Sequence, residues 1–428
     1  VRQAPVLTHN LQCAMRNPKA PRGLRRYRPQ GRFLSLVSLG SREAVADRGP
    51  LQASGAWVWR WKDHIDRAFM DRFSRLPPRR AMTSAPITTQ MPCGGCGAKI
   101  GSDPLRAALS ALQQRYPRHA LPGDSAREDV ARLDVSGTLL QSVDSLRALV
   151  PDPFVMGQIT AAHALSDLYA AGARPHSALA QVMLPYAEAD ILQHELEQLL
   201  AGALEVFAAA DCPLLGGHSL QGPELQLGFA VNGTVPQQGP GSAPWSKRGG
   251  QPGDSLILTK ALGTGVIFAA QMQLAADGRD LAAATASMLQ SNAAASQIGR
   301  EYGASAATDV TGFGLLGHLA EMLGDSLGAE LDLEAVPLLP GAERAAQLGI
   351  RSSLWPANYS ALQMRLKSAR LAEDKRAELL FDPQTSGGLL LALPVARATS
   401  CLKALRDAGC DAAIIGGLQP DPAGQIQF

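Results

Sequence analysis

Residues 307–318 read Ala307-Thr308-Asp309-Val310-Thr311-Gly312-Phe313-Gly314-Leu315-Leu316-Gly317-His318. An aspartate stands among small residues, and the pattern beyond it predicts a helix near 312–324. Three more aspartates lie upstream in comparable settings. Asp129 falls in Arg127-Glu128-Asp129-Val130-Ala131, and Asp144 is expected to end a strand that starts at Leu139. Asp167 is expected inside a small-residue helix, Gly157 to Ala171. Carboxylates that converge on one site would hold magnesium ions, which neutralise a triphosphate. Taken singly, each aspartate reads equally as a helix cap or a solvated charge.

Working outward, strands are expected over 178–184, 225–235 and 255–259, and near 388–393 and 413–417. Helices are expected over 105–116 and 189–210, and near 263–274 and 280–300. Strands and helices intermingle without a regular βαβ rhythm, which predicts an α+β fold. A Pro-, Gly- and Ser-rich stretch, 237–253, divides this body in two.

Charge separates the body from what precedes it. Residues 1–90 hold 17 Lys and Arg against 5 Asp and Glu, a net of +12, whereas the remainder is −10. Such a split points to two units of different origin. The front contains a strand-rich part, Gly31 to Gly40, and an amphipathic pattern of Trp57, Trp61, Ile65, Phe69, Phe73 and Leu76. A basic helix with interfacial tryptophans suits peripheral contact with a membrane through 57–76; packing against another domain is the competing reading. Residues 77–90 read as a linker. The chain opens on Val1 without an apolar signal core and is read as a piece of a longer protein. No apolar run is long enough to span a bilayer, and the six scattered cysteines do not make a disulfide framework. A cytoplasmic setting is expected.

The common nucleotide and hydrolase signatures are missing. There is no P-loop, no dinucleotide glycine fingerprint after a strand, no Gly-x-Ser-x-Gly elbow and no His-Glu-x-x-His helix. Two glycine-rich segments remain. In Cys93-Gly94-Gly95-Cys96-Gly97-Ala98-Lys99, Lys99 would favour a thiolate at Cys96 and could hold a phosphate. A redox Cys-x-x-Cys or a plain linker fits the same residues. Leu215-Gly216-Gly217-His218-Ser219 suits a loop in close contact with a phosphate or sugar, or a tight turn with an exposed histidine.

Together these segments resemble the selenophosphate synthetase family. The matching stretches are Gly95 to Ile100, Arg127 to Ala131, Leu165 to Ala170, Gly216 to Ser219, Leu258 to Gly265, Thr308 to His318 and Asp382 to Leu389, in the family's order across 91–428. The resemblance implies a two-half fold like that of aminoimidazole ribotide synthetase, at 91–240 and 250–428. The N-terminal, ATP-binding half would pair with a second copy into a dimeric β-barrel, and the C-terminal half would be α+β. It implies ATP as substrate, with magnesium, and conversion of selenide and water to selenophosphate, AMP and phosphate. By the same resemblance Cys96 handles selenide, and Lys99 acts with it and contacts the phosphates. Asp129, Asp167 and Asp309 would be magnesium ligands. Ala126, Arg127, Glu128, Asp144, Asp167, Gly216, Gly217 and His218 would contact the nucleotide. Many members carry a second Cys where Ala98 stands here, which leaves Cys93 as the neighbouring thiol.

The front has a resemblance of its own. Arg2 to Leu7 with Asn10, and Trp57 to Asp63, look like the C-terminal part of a pyridine-nucleotide-disulfide or type II NADH-dehydrogenase-like oxidoreductase. Residues 1–76 are read as that remnant, with no FAD or NAD expected. A homodimer acting on selenide and ATP is expected, with no nucleic-acid partner. The competing functions are another ATP-using synthetase of the same superfamily, a Cys93–Cys96 redox module, and a membrane-docked regulatory chain.

Overall fold

The computed structural model describes residues 6–10, 13, 23–27, 34–48, 50–74, 102–116, 133, 135–235, 243–324, 326–367, 374–421 and 423–428. The chain divides into two units, Val1–Met82 and Thr83–Phe428. In the first, strands β1 (Ser35–Gly40), β2 (Glu43–Arg48) and β3 (Leu51–Gly55) form an antiparallel sheet in that order. Helix α1 (Ala56–Ser74) covers it, seating Val58 against Ala44 and Ala46. Trp57, Trp61 and Ile65, at four-residue steps, stay exposed.

The second unit begins, among the described residues, with helix α2 (Ser102–Arg115). Strand β4 (Leu139–Arg147), helix α3 (Pro153–Ala170), β5 (Arg174–Pro185), α4 (Ala189–Ala209), β6 (Leu214–Gly222) and β7 (Gln226–Thr234) follow. The four strands form one sheet in the order β4-β7-β5-β6, antiparallel except for the β5–β6 pair. Helix α3 starts where Asp152 accepts from the Phe154 and Val155 amides and Pro153 takes the first helical position. It is buried nearly all round because it lies between the sheet and α4. Two glycines permit this. A Cβ on Gly157 would sit 2.0 Å from the Leu199 carbonyl oxygen, and one on Gly202 1.9 Å from that of Phe154. The two helix backbones therefore touch.

The rest of the unit contains β8 (Asp254–Leu258), α5 (Thr264–Met272), α6 (Gly278–Leu289), α7 (Ala293–Glu301), β9 (Ala306–Asp309), α8 (Gly314–Leu323) and β10 (Leu327–Leu331). Helices α9 (Ala342–Gln347), α10 (Trp355–Leu362) and α11 (Lys375–Leu379) follow, then β11 (Leu389–Pro394), α12 (Val395–Asp407), β12 (Ala413–Pro420) and β13 (Ile426–Gln427). Six strands pair in the order β13-β10-β12-β8-β11-β9. Both faces of this sheet are covered. Leu256, Leu258, Leu390 and Ala392 enter one core, and Ile257, Leu389, Leu391 and Leu393 the other. Burial on both faces explains why these strands read as unbroken apolar runs. A further cluster ties the two layers together, packing Ile159 of α3 among Val266, Ile267 and Phe268 of α5.

Three expectations need correction. Asp144 lies inside β4 rather than at its end, since the strand continues to Arg147. The single helix expected near 280–300 is two helices, interrupted at Gln290–Asn292. Ser291 there bonds the Ala293 amide through its hydroxyl and Asn292 turns its side chain to distant partners, so polar side chains compete with the helix ladder. Leu215–Ser219 is not a loop but part of β6. Gly217 is needed because a Cβ would meet the Ala180 carbonyl oxygen of β5 at 2.2 Å. Among the described residues, no helix is long and apolar enough to cross a membrane.

Candidate active site

Strand β4 alternates. Leu139, Gln141, Val143, Ser145 and Arg147 are exposed, while Leu140, Ser142, Asp144 and Leu146 face inward toward α3. The inward pair Ser142 and Asp144 meets Asp167, near the C-terminal end of α3. The Ser142 hydroxyl donates to the Asp167 carboxylate, and Asp144 also hydrogen-bonds to Asp167. Burial, the Asp167 charge beside it and that hydrogen bond push the Asp144 carboxyl up to about 7; Asp309 adds to the effect.

Asp309 closes β9 and is 5% exposed. Burial foremost, and then the charge of Asp167, raise its carboxyl to about 6, against a hydrogen bond from Ser166 that favours the ionised form. Asp144, Asp167 and Asp309 thus come from a strand, a helix and the other sheet into one electrostatic neighbourhood. The Asp144 and Asp309 carboxyls are each raised in part by the Asp167 charge. Among the described residues, no three His, Cys, Asp or Glu side chains stand close enough to hold a metal ion by themselves. The donors suit magnesium nonetheless. They are hard carboxylate oxygens, and that ion commonly takes one or two of them and completes its shell with water and substrate phosphates.

The surroundings are ordered by buried polar groups. One turn before Asp167, His163 accepts the Ser386 amide on Nδ1 at 3.2 Å, and burial lowers its basicity. Asn292 donates to the Ser166 hydroxyl at 2.9 Å and to the Gly387 carbonyl at 2.8 Å. At the start of α5, Gln384 Oε1 accepts from the Gly263 amide at 2.9 Å and the Thr264 amide at 3.1 Å. Asp382 accepts from the Val266 amide at 2.7 Å, and burial carries its carboxyl up to about 7. The Gly263-Thr264-Gly265 turn is therefore capped from within the chain.

Gly216, Gly217 and His218 are not brought to the aspartates. The register links His218 to Gln181, Gln181 to Gly228, and Gly228 to Ser145, so His218 stands three strands from Ser145, the neighbour of Asp144. That is about 14 Å at ordinary strand spacing. His218 is exposed on the opposite edge strand. Cys96, Lys99, Ala126, Arg127, Glu128 and Asp129 lie outside the described residues. Sequence reasoning passed over Ser142, Lys260, Asn292, Asp382 and Gln384 as site residues. Lys260, Asp382 and Gln384 lie in stretches that carry the family resemblance, and Ser142 stands two residues before Asp144 on an alternating strand; Asn292 carried no signal.

Residues 127–235 match the family described as AIR synthase related protein, N-terminal domain, and 251–428 match AIR synthase related protein, C-terminal domain. The selenide, water dikinase of Myxococcus xanthus is 37% identical over 343 residues, covering 79% of this chain and 96% of that protein. That of Desulfitobacterium hafniense strain Y51 is 38% identical over 326 residues, covering 76% and 93%. Among solved structures, hydrogenase maturation protein HypE superposes with a TM-score of 0.55 at 20% identity, covering 73% of this chain and 91% of that one. Thiamine-monophosphate kinase from Stenotrophomonas maltophilia K279a gives 0.54 at 20% identity, covering 74% and 95%. These structures share the AIR synthase fold with the chain.

Proposed function

The chain belongs to the selenide, water dikinase family, and we propose that Asp144, Asp167 and Asp309 form the metal- and nucleotide-binding side of its active site. The enzyme makes selenophosphate from ATP, selenide and water, releasing AMP and phosphate. The observation that carries the site assignment is the convergence of three carboxylates from separate elements, with Asp144 and Asp309 both held well above the ordinary carboxylate range.

Magnesium held there would neutralise the phosphate chain of ATP. Asp167 and Asp309, with Asp129, are its ligands in this reading, and Asp144 faces the nucleotide. Ser142 orients the Asp167 carboxylate, and His163, uncharged in its buried position, leaves the local field to the aspartates. Phosphoryl transfer needs positioning and charge stabilisation more than covalent chemistry from the protein. Cys96 is assigned to selenide, Lys99 to the phosphates, and residues 126–128 to the nucleotide.

The catalytic body consists of halves at 91–240 and 250–428. The distance of Gly216, Gly217 and His218 from the aspartates supports a site shared across a homodimer, in which β6 of one copy faces the nucleotide of the other. Residues 1–76 we read as related to the C-terminal part of a pyridine-nucleotide-disulfide or type II NADH-dehydrogenase-like oxidoreductase, on the Arg2–Asn10 and Trp57–Asp63 resemblances.

Nucleotide product analysis tests this reading. Selenide-dependent formation of AMP is expected, with no reaction in the absence of magnesium. Accumulation of ADP regardless of selenide would point to another synthetase chemistry on the same fold.

A further inference from the structure

Lys260 follows strand β8 and is 2% exposed. Its Nζ donates to the carbonyls of Ser287 at 3.2 Å, Gln290 at 2.6 Å and Ser386 at 2.8 Å. Burial brings the Lys260 ammonium down to about 7; when protonated it has three N–H donors, and these acceptors use all of them. Two of the carbonyls belong to the C-terminal end of α6, where the helix dipole favours a cation. The third belongs to a segment that touches the aspartate-bearing elements on two sides.

That segment is 386–388. Toward α3, the Ser386 amide donates to His163, and the Gly387 carbonyl accepts from Asn292, which also holds Ser166. His163 and Ser166 stand four and one residues before Asp167. Toward the six-stranded sheet, the Gly388 carbonyl accepts from the Val310 amide at 2.9 Å, and Leu389 is in register with Asp309. The segment thus spans the gap between the helix bearing Asp167 and the strand bearing Asp309. A Cβ on Gly388 would stand 2.5 Å from the Lys260 amide nitrogen, so the two backbones press against each other there.

We propose that Lys260 is a positioning residue: by clamping 386–388 between α3 and β9, it sets the spacing of the Asp167 and Asp309 carboxylates that receive the metal ion. The ammonium does not itself bond either carboxylate, because its donors are committed to main-chain carbonyls. It acts through Ser386 on one side and the end of α6 on the other. Asn292 is the second arm of the same clamp.

This inference rests on the assignment of Asp167 and Asp309 to a metal. The test uses the full chain with Mn2+ as the probe, bound in the presence of a non-hydrolysable ATP analogue and read by electron paramagnetic resonance. Lys260→Met and Asn292→Ala are each expected to weaken Mn2+ binding about tenfold or more, the scale seen when partners that orient metal ligands are removed. The double variant should lose no more than the worse single, because both arms hold one segment. Lys260→Gln, which keeps two donors, should lie between wild type and Lys260→Met, and it serves if the Met variant does not fold. Lowered melting temperature with unchanged Mn2+ affinity in folded Lys260 variants would overturn the proposal and leave Lys260 a packing element. A wild-type chain that binds no Mn2+ would remove the metal assignment, and this inference with it.

Discussion

Asp144 of strand β4 lies beside Asp167 of helix α3, whose charge adds to burial in raising the Asp144 carboxyl to about 7. The two carboxylates repel each other when Asp144 ionises. Asp309, approaching from the other sheet, increases the repulsion. In the proposed enzyme this repulsion is what a divalent cation relieves.

The first consequence concerns pH. The Asp144 and Asp309 carboxyls, at about 7 and about 6 when folded, lie above their ordinary value of 3.8. The folded chain thus binds these protons more tightly than the unfolded chain. The stability they contribute is complete below about pH 4 and is lost as pH rises through the folded values. Thermal melts in chelator should show stability falling between about pH 4 and about pH 7, and magnesium should restore several degrees at the upper end but little at the lower. Equal magnesium effects at both pH values would separate the ion from these carboxylates.

Asp309→Asn removes one buried charge while keeping the shape. The apo chain should melt no lower than wild type, since a repulsive carboxylate is gone. Turnover should fall about a hundredfold or more, with a raised magnesium requirement. Steady-state rates across a magnesium series check this; wild-type magnesium dependence would exclude Asp309 as a ligand.

Cys96→Ser should abolish selenide-dependent product while leaving ATP binding intact. Nucleotide affinity by calorimetry alongside product analysis separates the two effects. Full activity in the serine variant would remove the thiol from the mechanism.

Gly157→Ala tests the helix contact that seats Asp167. The added Cβ would need the space of the Leu199 carbonyl oxygen, only 2.0 Å away. Denaturant unfolding should show a loss of about 1 to 3 kcal/mol, the usual cost of forcing a methyl group into a packed core. A neutral result would mean that α3 and α4 can separate freely.

Much of the fold was legible because its elements are long or strongly patterned. The nearly all-apolar α3 and the unbroken strand Asp254–Leu258 needed no tertiary context to be recognised. Gly216 and Gly217 were misread because glycine ordinarily signals a loop. Here a central β5 backbone passes so close that Gly217 is the residue the strand requires. The break at Gln290–Asn292 was hidden because its cause lies far away in sequence, at Lys260, Ser166 and Gly387. The aspartates were visible as chemistry, but their proximity was not, because residues 144, 167 and 309 meet only through the packing of α3 against both sheets. Lys260 was visible only as part of the Leu258–Gly265 stretch; its partners were not, since carbonyls carry no side-chain signature.

Phosphorus NMR of the purified chain with ATP, magnesium and anaerobic selenide follows the reaction itself. A new phosphorus signal split by coupling to selenium is expected, together with AMP and phosphate. ATP left untouched, or cleaved only to ADP with no selenium-coupled signal, would contradict the assigned reaction.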